Sequence, residues 1–203
     1  VRYEWTEDCE LRMTYTAESD APTVLNLTNH AYFNLNGEGN GNILGHTLRM
    51  NCSEYLPTDE TQIPLGESAP VAGTPMDFVN EKLVGQDIRA DFEALKIGKG
   101  YDHCWVIDGT EPGQLQFCCE LHAPESGRTL NIFTTQPGVQ VYTGNWLAGS
   151  PVAKCGRSYN DYDGVAIECQ NFPDSPNKAD YPSPVLRPGE VYEQAIIYVF
   201  GIR

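Results

Sequence analysis

Glu168 is the carboxylate whose neighbours best suit acid–base chemistry. It lies in residues 164–170, where Val165, Ile167 and Cys169 alternate with small or polar residues. Such alternation predicts a strand with one apolar face, and Glu168 falls on the other face beside small side chains. A carboxylate in these surroundings loses hydration, which raises its proton affinity toward the range useful for a general base. On this segment alone, a structural glutamate that accepts backbone N–H bonds is the alternative.

His30 is the second candidate, and it stands in the middle of residues 25–35. Apolar residues occupy positions 25, 27, 31, 33 and 35 of this segment, and the alternate positions are Asn26, Thr28, His30, Tyr32 and Asn34. The period of two predicts a central strand with one buried face. A row of amides, a phenol and an imidazole suits a polar ligand such as a sugar. Asn and His also stabilise turns and core hydrogen bonds, so both interpretations stay open here.

Three further polar residues are candidates for the site, and the first is a carboxylate of the kind that commonly binds sugar hydroxyls. Asp102 begins a predicted strand directly after the Gly-Lys-Gly loop at residues 98–100, which places it at a rim. Its alternative role is to stabilise that turn. Gln140 and Tyr142 share one face of the short strand predicted over residues 138–142, so an amide and a phenol lie beside each other.

Other aromatic and imidazole side chains carry weaker signals. Trp105 and Trp146 could stack on a sugar ring, although tryptophan is more often part of a core. His103 points to the opposite side of its strand from the preceding carboxylate, so we expect it to be structural or exposed to solvent. His46 and His122 are expected on the surface.

The elements that must position these residues are predicted to be short strands. The expected strands, in addition to residues 25–35, cover residues 9–17, 46–51, 101–107, 115–122, 129–134, 138–142, 164–169 and 192–200. One or two helical turns are expected between Leu83 and Leu95. This pattern predicts an all-β, antiparallel β-sandwich that forms a single domain over residues 1–203. Residues 53–74 are rich in Pro, Gly, Asp and Glu and predict a long surface loop, a common place for function.

Composition restricts the partners. The chain has 203 residues, of which 40% are hydrophobic, and a formal net charge of -15. This charge disfavours nucleic acid and anionic membranes and favours a neutral small molecule. The seven cysteines are an odd number without a C-x-x-C pair, which is atypical of a zinc site or a disulfide framework. Reduced thiols in a cytoplasmic protein are therefore expected, with a secreted or periplasmic location left open.

Several motifs together resemble the aldose 1-epimerases, the galactose mutarotase family. The matching segments are residues 26–37, 101–103, 134–145, 166–174 and 186–190. They occur in the family's order and span essentially the whole chain. The resemblance implies a galactose mutarotase-like supersandwich, a large antiparallel β-sandwich with an open sugar cleft, which works without metal or cofactor.

The resemblance also implies roles for the candidates. Glu168 would act as the general base that takes the proton of the anomeric hydroxyl, and His30 as the general acid that protonates the ring oxygen. Ring opening, rotation and reclosure would then interconvert the α and β anomers of a hexose such as galactose or glucose. Acid and base are expected on opposite sides of the anomeric centre. The expected sugar-binding residues are Asp102, Gln140, Tyr142 and Asn29.

One departure from the family concerns the start of the chain. Family members have an N-terminal portion that supplies an arginine and a second histidine to the cleft, and neither Arg2 nor Arg12 stands in that motif. We therefore expect the chain to be the larger, C-terminal part of a mutarotase, whose N-terminal part is absent or a separate chain.

Two other functions are compatible with these residues. The first is a non-catalytic sugar-binding β-sandwich that keeps the cleft. The second is a glycosidase that uses Glu168 and Asp102 as paired carboxylates. The glycosidase is the least favoured, because His30 has no natural role in that reaction.

Overall fold

The computed structural model describes residues 1–203, and β-strands make up nearly all of its regular structure. The strands are β1 (Arg2–Trp5), β2 (Glu10–Ala17), β3 (Thr23–Val24), β4 (Tyr32–Phe33), β5 (Thr47–Met50), β6 (Glu54–Tyr55), β7 (Ala69–Pro70), β8 (Lys82–Leu83), β9 (Asp102–Val106), β10 (Gln116–Ala123), β11 (Arg128–Thr134), β12 (Gly138–Tyr142), β13 (Val165–Gln170), β14 (Val185–Leu186) and β15 (Tyr192–Ile202). The helices are α1 (Glu93–Gly98) and a 3₁₀ turn, Ser175–Asn177. Neither helix has the length and apolar character needed to cross a membrane.

The strands form two large antiparallel sheets and one small one. The first has the order β1-β2-β15-β11-β10-β5-β8, the second has the order β4-β13-β12-β9-β6-β7, and β3 pairs with β14. The main apolar core draws on both large sheets, with Met13 and Leu121 from the first and Trp105 and Ile167 from the second. The predicted antiparallel sandwich is therefore confirmed.

Alternating side chains explain why these segments form strands. In β2, Met13 and Tyr15 are buried while Arg12 and Thr16 are exposed, as a sheet with one covered face requires. Strand β12 has the predicted bounds, and seven other predicted strands agree with β2, β5, β9, β10, β11, β13 and β15 to within one or two residues.

The predicted central strand is wrong over most of its length. Only Tyr32–Phe33 within residues 25–35 forms a strand, and residues 25–31 run as a loop. Side chains fix this loop: Asn26 Nδ2 donates to the Asn171 carbonyl at 3.1 Å, and Thr28 Oγ1 donates to the Cys169 carbonyl at 2.8 Å. Because side chains supply these bonds, apolar and polar positions alternate without a backbone ladder.

Two histidines are more deeply buried than the sequence predicted, and Trp105 occupies the core position that the sequence left open. His46 is fully buried, and its Nε2 accepts the backbone N–H of Leu35 at 3.0 Å. His122 is also buried, so the surface prediction is wrong for both histidines. Trp105 lies in the core and donates from Nε1 to the Met76 carbonyl at 3.0 Å, which excludes it from stacking on a ligand.

Candidate active site

Three neighbouring strands of the second sheet bring the polar candidates onto one face. Gln140 on β12 pairs directly with Glu168 on β13, and Tyr142 on β12 pairs with Asp102 on β9. Paired residues of adjacent strands point to the same side, so these four side chains lie together on the face away from the core. Ile167 packs in the core on the opposite face, as the alternation predicted.

Glu168 and His30 are in direct contact. Nε2 of His30 lies 3.3 Å from Oε1 of Glu168, and the glutamate side chain is 11% exposed against 50% for the histidine. Burial raises the pKa of Glu168 above its ordinary value, the charge of His30 opposes this rise, and the charge of Asp102 adds to it. The two groups are adjacent, rather than facing each other from opposite sides as expected.

Asp102 and Gln140 form a second polar pair beside the first. Nε2 of Gln140 donates to Oδ1 of Asp102 at 2.8 Å, while Oε1 of Gln140 is buried without a partner in the chain. Burial raises the pKa of Asp102, and the Gln140 hydrogen bond and the charge of His30 oppose that rise. An unpaired buried carbonyl oxygen is costly unless a ligand satisfies it, so this pair suits a ligand that carries hydroxyls.

Asp102, Gln140 and Glu168 line a cavity of about 290 Å³, whereas His30 and Tyr142 lie outside its lining. Its sheet wall contains Asp102, Gln140 and Glu168, and the wall facing it comes from residues 53–74, through Leu56, Thr58, Gln62 and Pro64. The predicted surface loop thus lines the candidate site, although nothing in its sequence marked Gln62. A larger cavity of about 810 Å³, beside Phe172 and Tyr192, is lined by none of the expected catalytic or sugar-binding residues.

Aromatic rings extend the candidate site beyond His30 and Glu168. The rings of His30 and Tyr32 have centroids 5.0 Å apart, and those of Tyr32 and Tyr142 are 6.1 Å apart. The Tyr142 hydroxyl accepts the backbone N–H of Trp146 at 3.1 Å. Trp146 is 63% exposed, and Lys99 Nζ lies 4.5 Å from its ring centroid.

Two expectations about neighbouring side chains change. The structure does not bring Asn29 into the cavity, because its Oδ1 accepts the backbone N–H of Ala31 at 3.0 Å and the Tyr198 hydroxyl at 3.4 Å. Asn29 therefore shapes the loop that carries His30. The solvent-exposed alternative for His103 is wrong, because the residue is buried and its Nδ1 accepts the backbone N–H of Asp102 at 3.1 Å.

The cysteines and acidic residues do not form a metal cluster. The structure contains no group of three or more His, Cys, Asp or Glu side chains that could hold a metal ion. All seven cysteines are free thiols, of which only Cys9 and Cys155 are exposed.

Comparison with known sequences now identifies the group of proteins to which this arrangement belongs. A family model described as aldose 1-epimerase matches residues 1–199. The chain belongs to the aldose 1-epimerase family. The galactose mutarotase of Homo sapiens is 41% identical over 193 residues, covering 95% of this chain and 54% of that protein. The aldose 1-epimerase of Escherichia coli K12 is 38% identical over 202 residues, covering 98% of this chain and 57% of that protein.

Solved structures of aldose 1-epimerase relatives share the fold. An aldose epimerase homologue from C. elegans superposes with a TM-score of 0.85 at 29% identity, covering 98% of this chain and 58% of that one. A galactose 1-epimerase from Lactobacillus acidophilus gives a TM-score of 0.83 at 28% identity, covering 98% and 55%. The galactose mutarotase-like fold is thereby confirmed. The chain spans a little over half the length of the curated relatives it matches.

Proposed function

We propose that this chain supplies the acid–base pair and a wall of the sugar cleft in an aldose 1-epimerase. The reaction is the interconversion of the α and β anomers of a hexose such as galactose or glucose. One observation carries the proposal: His30 Nε2 lies 3.3 Å from Glu168 Oε1, next to the cavity lined by Asp102 and Gln140.

Glu168 acts as the general base and His30 as the general acid. Glu168 takes the proton of the anomeric hydroxyl, whose electron pair forms the aldehyde C=O as the bond between C1 and the ring oxygen breaks. His30 gives its proton to the departing ring oxygen. After rotation about the C1–C2 bond, the ring closes on the other face of the aldehyde. His30 then recovers its proton and Glu168 returns the one it took, so no atom is gained or lost.

Contact between the acid and the base is compatible with this chemistry. The anomeric oxygen and the ring oxygen are both bonded to C1, so they are close together. Two adjacent groups of the protein can each reach one of them. Burial raises the proton affinity of the Glu168 carboxylate, which makes it a stronger base than an exposed glutamate.

Asp102 and Gln140 bind the hydroxyls of the sugar in this proposal. A carboxylate accepts hydrogen bonds from hydroxyls, and the free Oε1 of Gln140 offers a further acceptor. Tyr142 shares their face of the sheet and extends the contact toward Tyr32. A neutral sugar also suits a chain with a net charge of -15, because an anionic substrate would be repelled.

Two wider parts of the proposal concern the partner and the compartment. The proposed partner is a neutral hexose, held through its hydroxyls by Asp102 and Gln140. A cytoplasmic location is proposed on the basis of the seven unpaired thiols.

Polarimetry tests the catalytic proposal. Freshly dissolved α-D-galactose is followed with the unaltered chain, with Glu168→Gln, and with Glu18→Gln, which alters an exposed carboxylate. We expect faster equilibration that Glu168→Gln abolishes and Glu18→Gln retains. Equal rates with and without Glu168 would contradict the proposal. Sugar affinity by calorimetry without any catalysed exchange would instead favour the non-catalytic sugar-binding module.

A further inference from the structure

The loop that faces the Glu168 sheet contains Gln62, a polar residue that lines the cavity and has an unusual backbone conformation. Gln62 lines the cavity together with Asp102 and Glu168, and its φ is +65°. Residues with a Cβ rarely adopt this left-handed conformation, which costs free energy unless the surroundings enforce it. Such a residue beside a cluster of polar groups is a candidate for function.

A tight network of hydrogen bonds enforces the conformation of Gln62. The Asp59 carboxylate accepts the N–H and hydroxyl of Thr61 at 2.8 and 2.7 Å, and the N–H of Ile63 at 3.1 Å. The backbone N–H of Gln62 donates to the Asp59 carbonyl at 3.0 Å, and Asp59 N–H donates to the Ile63 carbonyl at 2.9 Å. The side chain is therefore projected from a fixed turn, which lowers the entropy lost when it binds a ligand.

The amide of Gln62 has no partner within the chain. Its Oε1 is buried without a hydrogen bond, as is Nε2 of His103. Both groups lie beside Gly98, because a Cβ built there would stand 3.2 Å from Gln62 Oε1, 3.8 Å from His103 Cε1 and 3.9 Å from Asp102 Cβ.

The neutral ring of His103 agrees with the observed orientation of that amide. Burial lowers the pKa of His103 to about 4, so the ring is neutral near neutral pH. Its Nδ1 accepts the Asp102 N–H, so the ring proton is on Nε2, which is a donor. The amide oxygen of Gln62 lies on this side, near the ring of His103, although the two make no hydrogen bond, so the amide nitrogen is the atom left for a ligand.

We propose that Gln62 determines sugar specificity by donating a hydrogen bond from its side-chain amide to a ring hydroxyl of the bound aldose. This inference rests on the proposed function. The His30–Glu168 pair fixes the sugar at C1, so Gln62 contacts a hydroxyl on another carbon. Asp102 lies next to it and accepts hydrogen bonds, so a donor and an acceptor stand side by side. A site that hydrogen-bonds a hydroxyl discriminates strongly against analogues lacking it.

Calorimetry with deoxy sugars tests the inference. Gln62→Gly is the informative variant, because glycine adopts a positive φ without strain and leaves the turn intact. Affinities are measured for galactose and for its 2-, 3-, 4- and 6-deoxy analogues. The matched control is Gln86→Gly, which removes an exposed amide outside the cavity.

We expect Gln62→Gly to weaken galactose binding by roughly tenfold, the loss of one hydrogen bond to a hydroxyl. For one particular deoxy sugar, Gln62→Gly and the unaltered chain should have the same affinity. That sugar lacks the hydroxyl that the Gln62 amide would bind, so removing the amide costs nothing further. Gln86→Gly should bind the whole panel as the unaltered chain does.

Two results would overturn the inference while the proposed function stands. The first is unchanged affinity of Gln62→Gly for galactose. The second is an equal additional loss for every deoxy sugar, which would mean that the residue acts on the loop as a whole. If the unaltered chain binds no aldose at all, the proposed function fails and the inference fails with it.

Discussion

Nε2 of His30 contacts Oε1 of Glu168 at 3.3 Å, although the histidine comes from a loop and the glutamate from the middle of a buried strand. The strand gives the carboxylate a rigid, partly dehydrated position. The loop gives the imidazole access to solvent, since half of its side chain is exposed. Acid–base chemistry benefits from this asymmetry, because one partner is tuned by burial and the other stays open to substrate.

The first prediction concerns the pH dependence of anomer exchange. Burial and the charge of Asp102 raise the pKa of Glu168, so protonation should inactivate the base at a pH above the ordinary glutamate value of about 4.3. We expect kcat/KM to fall on the acid side in that range. In Asp102→Asn the acid limb should move to lower pH, because a repulsive charge has been removed.

Polarimetry between pH 3.5 and 7 checks this prediction through the pH at which kcat/KM falls, and not through the absolute rate. Asp102→Asn also loses a proposed sugar contact, so its absolute rate is expected to be lower. An acid limb that stays at the same pH, or moves upward, would show that the Asp102 charge does not act on Glu168.

The second prediction is that Glu168→Gln makes the folded chain more stable at neutral pH. Because the pKa of Glu168 is raised on folding, the folded chain binds that proton more tightly than the unfolded chain does. The free energy of unfolding therefore falls as pH rises from the unfolded pKa through the folded pKa, and the charged carboxylate is destabilising at pH 7. The free energy of unfolding is expected to increase by about 1 kcal/mol, as single stabilising substitutions commonly do.

Urea unfolding at two pH values tests this sign. The gain should be present at pH 7 and disappear near pH 3, below the unfolded pKa of about 4.3, where the carboxyl is protonated in both states. Glu18→Gln, which alters an exposed side chain, should leave the midpoint unchanged at both pH values. A loss of stability in Glu168→Gln at pH 7 would mean that the contact with His30 outweighs the cost of burial.

The third prediction is that two buried imidazoles destabilise the fold in weak acid. Burial lowers the pKa of both His46 and His103 to about 4, below the unfolded value of about 6.5. The unfolded chain therefore binds these protons more tightly as pH falls from about 6.5 to about 4. Their combined contribution to the slope of stability against pH approaches about 2.7 kcal/mol per pH unit.

Denaturant unfolding at half-unit steps from pH 7 to pH 4.5 measures that slope. His46→Gln should remove about half of the contribution from the two imidazoles, whatever the variant costs in stability at pH 7. A slope unchanged by the substitution would show that His46 is not the group that takes up a proton on unfolding.

The sequence predicted the sheets better than it predicted the site. The period-2 pattern identified β12 and the face of β13 that carries Glu168, because a covered strand face imposes a strict pattern on its side chains. The same pattern in residues 25–31 was misleading, since Asn26 and Thr28 supply from their side chains the bonds that a strand makes with its backbone.

The other differences between prediction and structure concern residues whose contacts lie far away in the sequence. The sequence contains no sign that His46 accepts a backbone N–H in the interior, because its partner Leu35 lies on another segment. Gln62 was missed for the same reason: its loop has a surface-like composition, and only the folded chain brings the loop against Asp102. The positions of such residues depend on tertiary contacts, which local periodicity does not encode.

The last prediction concerns Thr28, which is a positioning residue for His30. Its hydroxyl donates to the Cys169 carbonyl at 2.8 Å and so ties the His30 loop to the strand that carries Glu168. Thr28→Val keeps the shape and removes the bond. We expect kcat for anomer exchange to fall about tenfold, while the free energy of unfolding measured in urea falls by only about 1 kcal/mol.

The comparison between kcat and KM separates positioning from a general loss of structure. Without the Thr28 hydrogen bond, the His30 imidazole can move relative to Glu168, which lowers kcat. Asp102 and Gln140, which bind the sugar hydroxyls in the proposed function, stay in place on the sheet, so KM should hardly change. Thr16→Val, at an exposed position of β2, should alter neither constant. If Thr28→Val raises KM and leaves kcat intact, the loop serves to bind sugar and does not orient the acid.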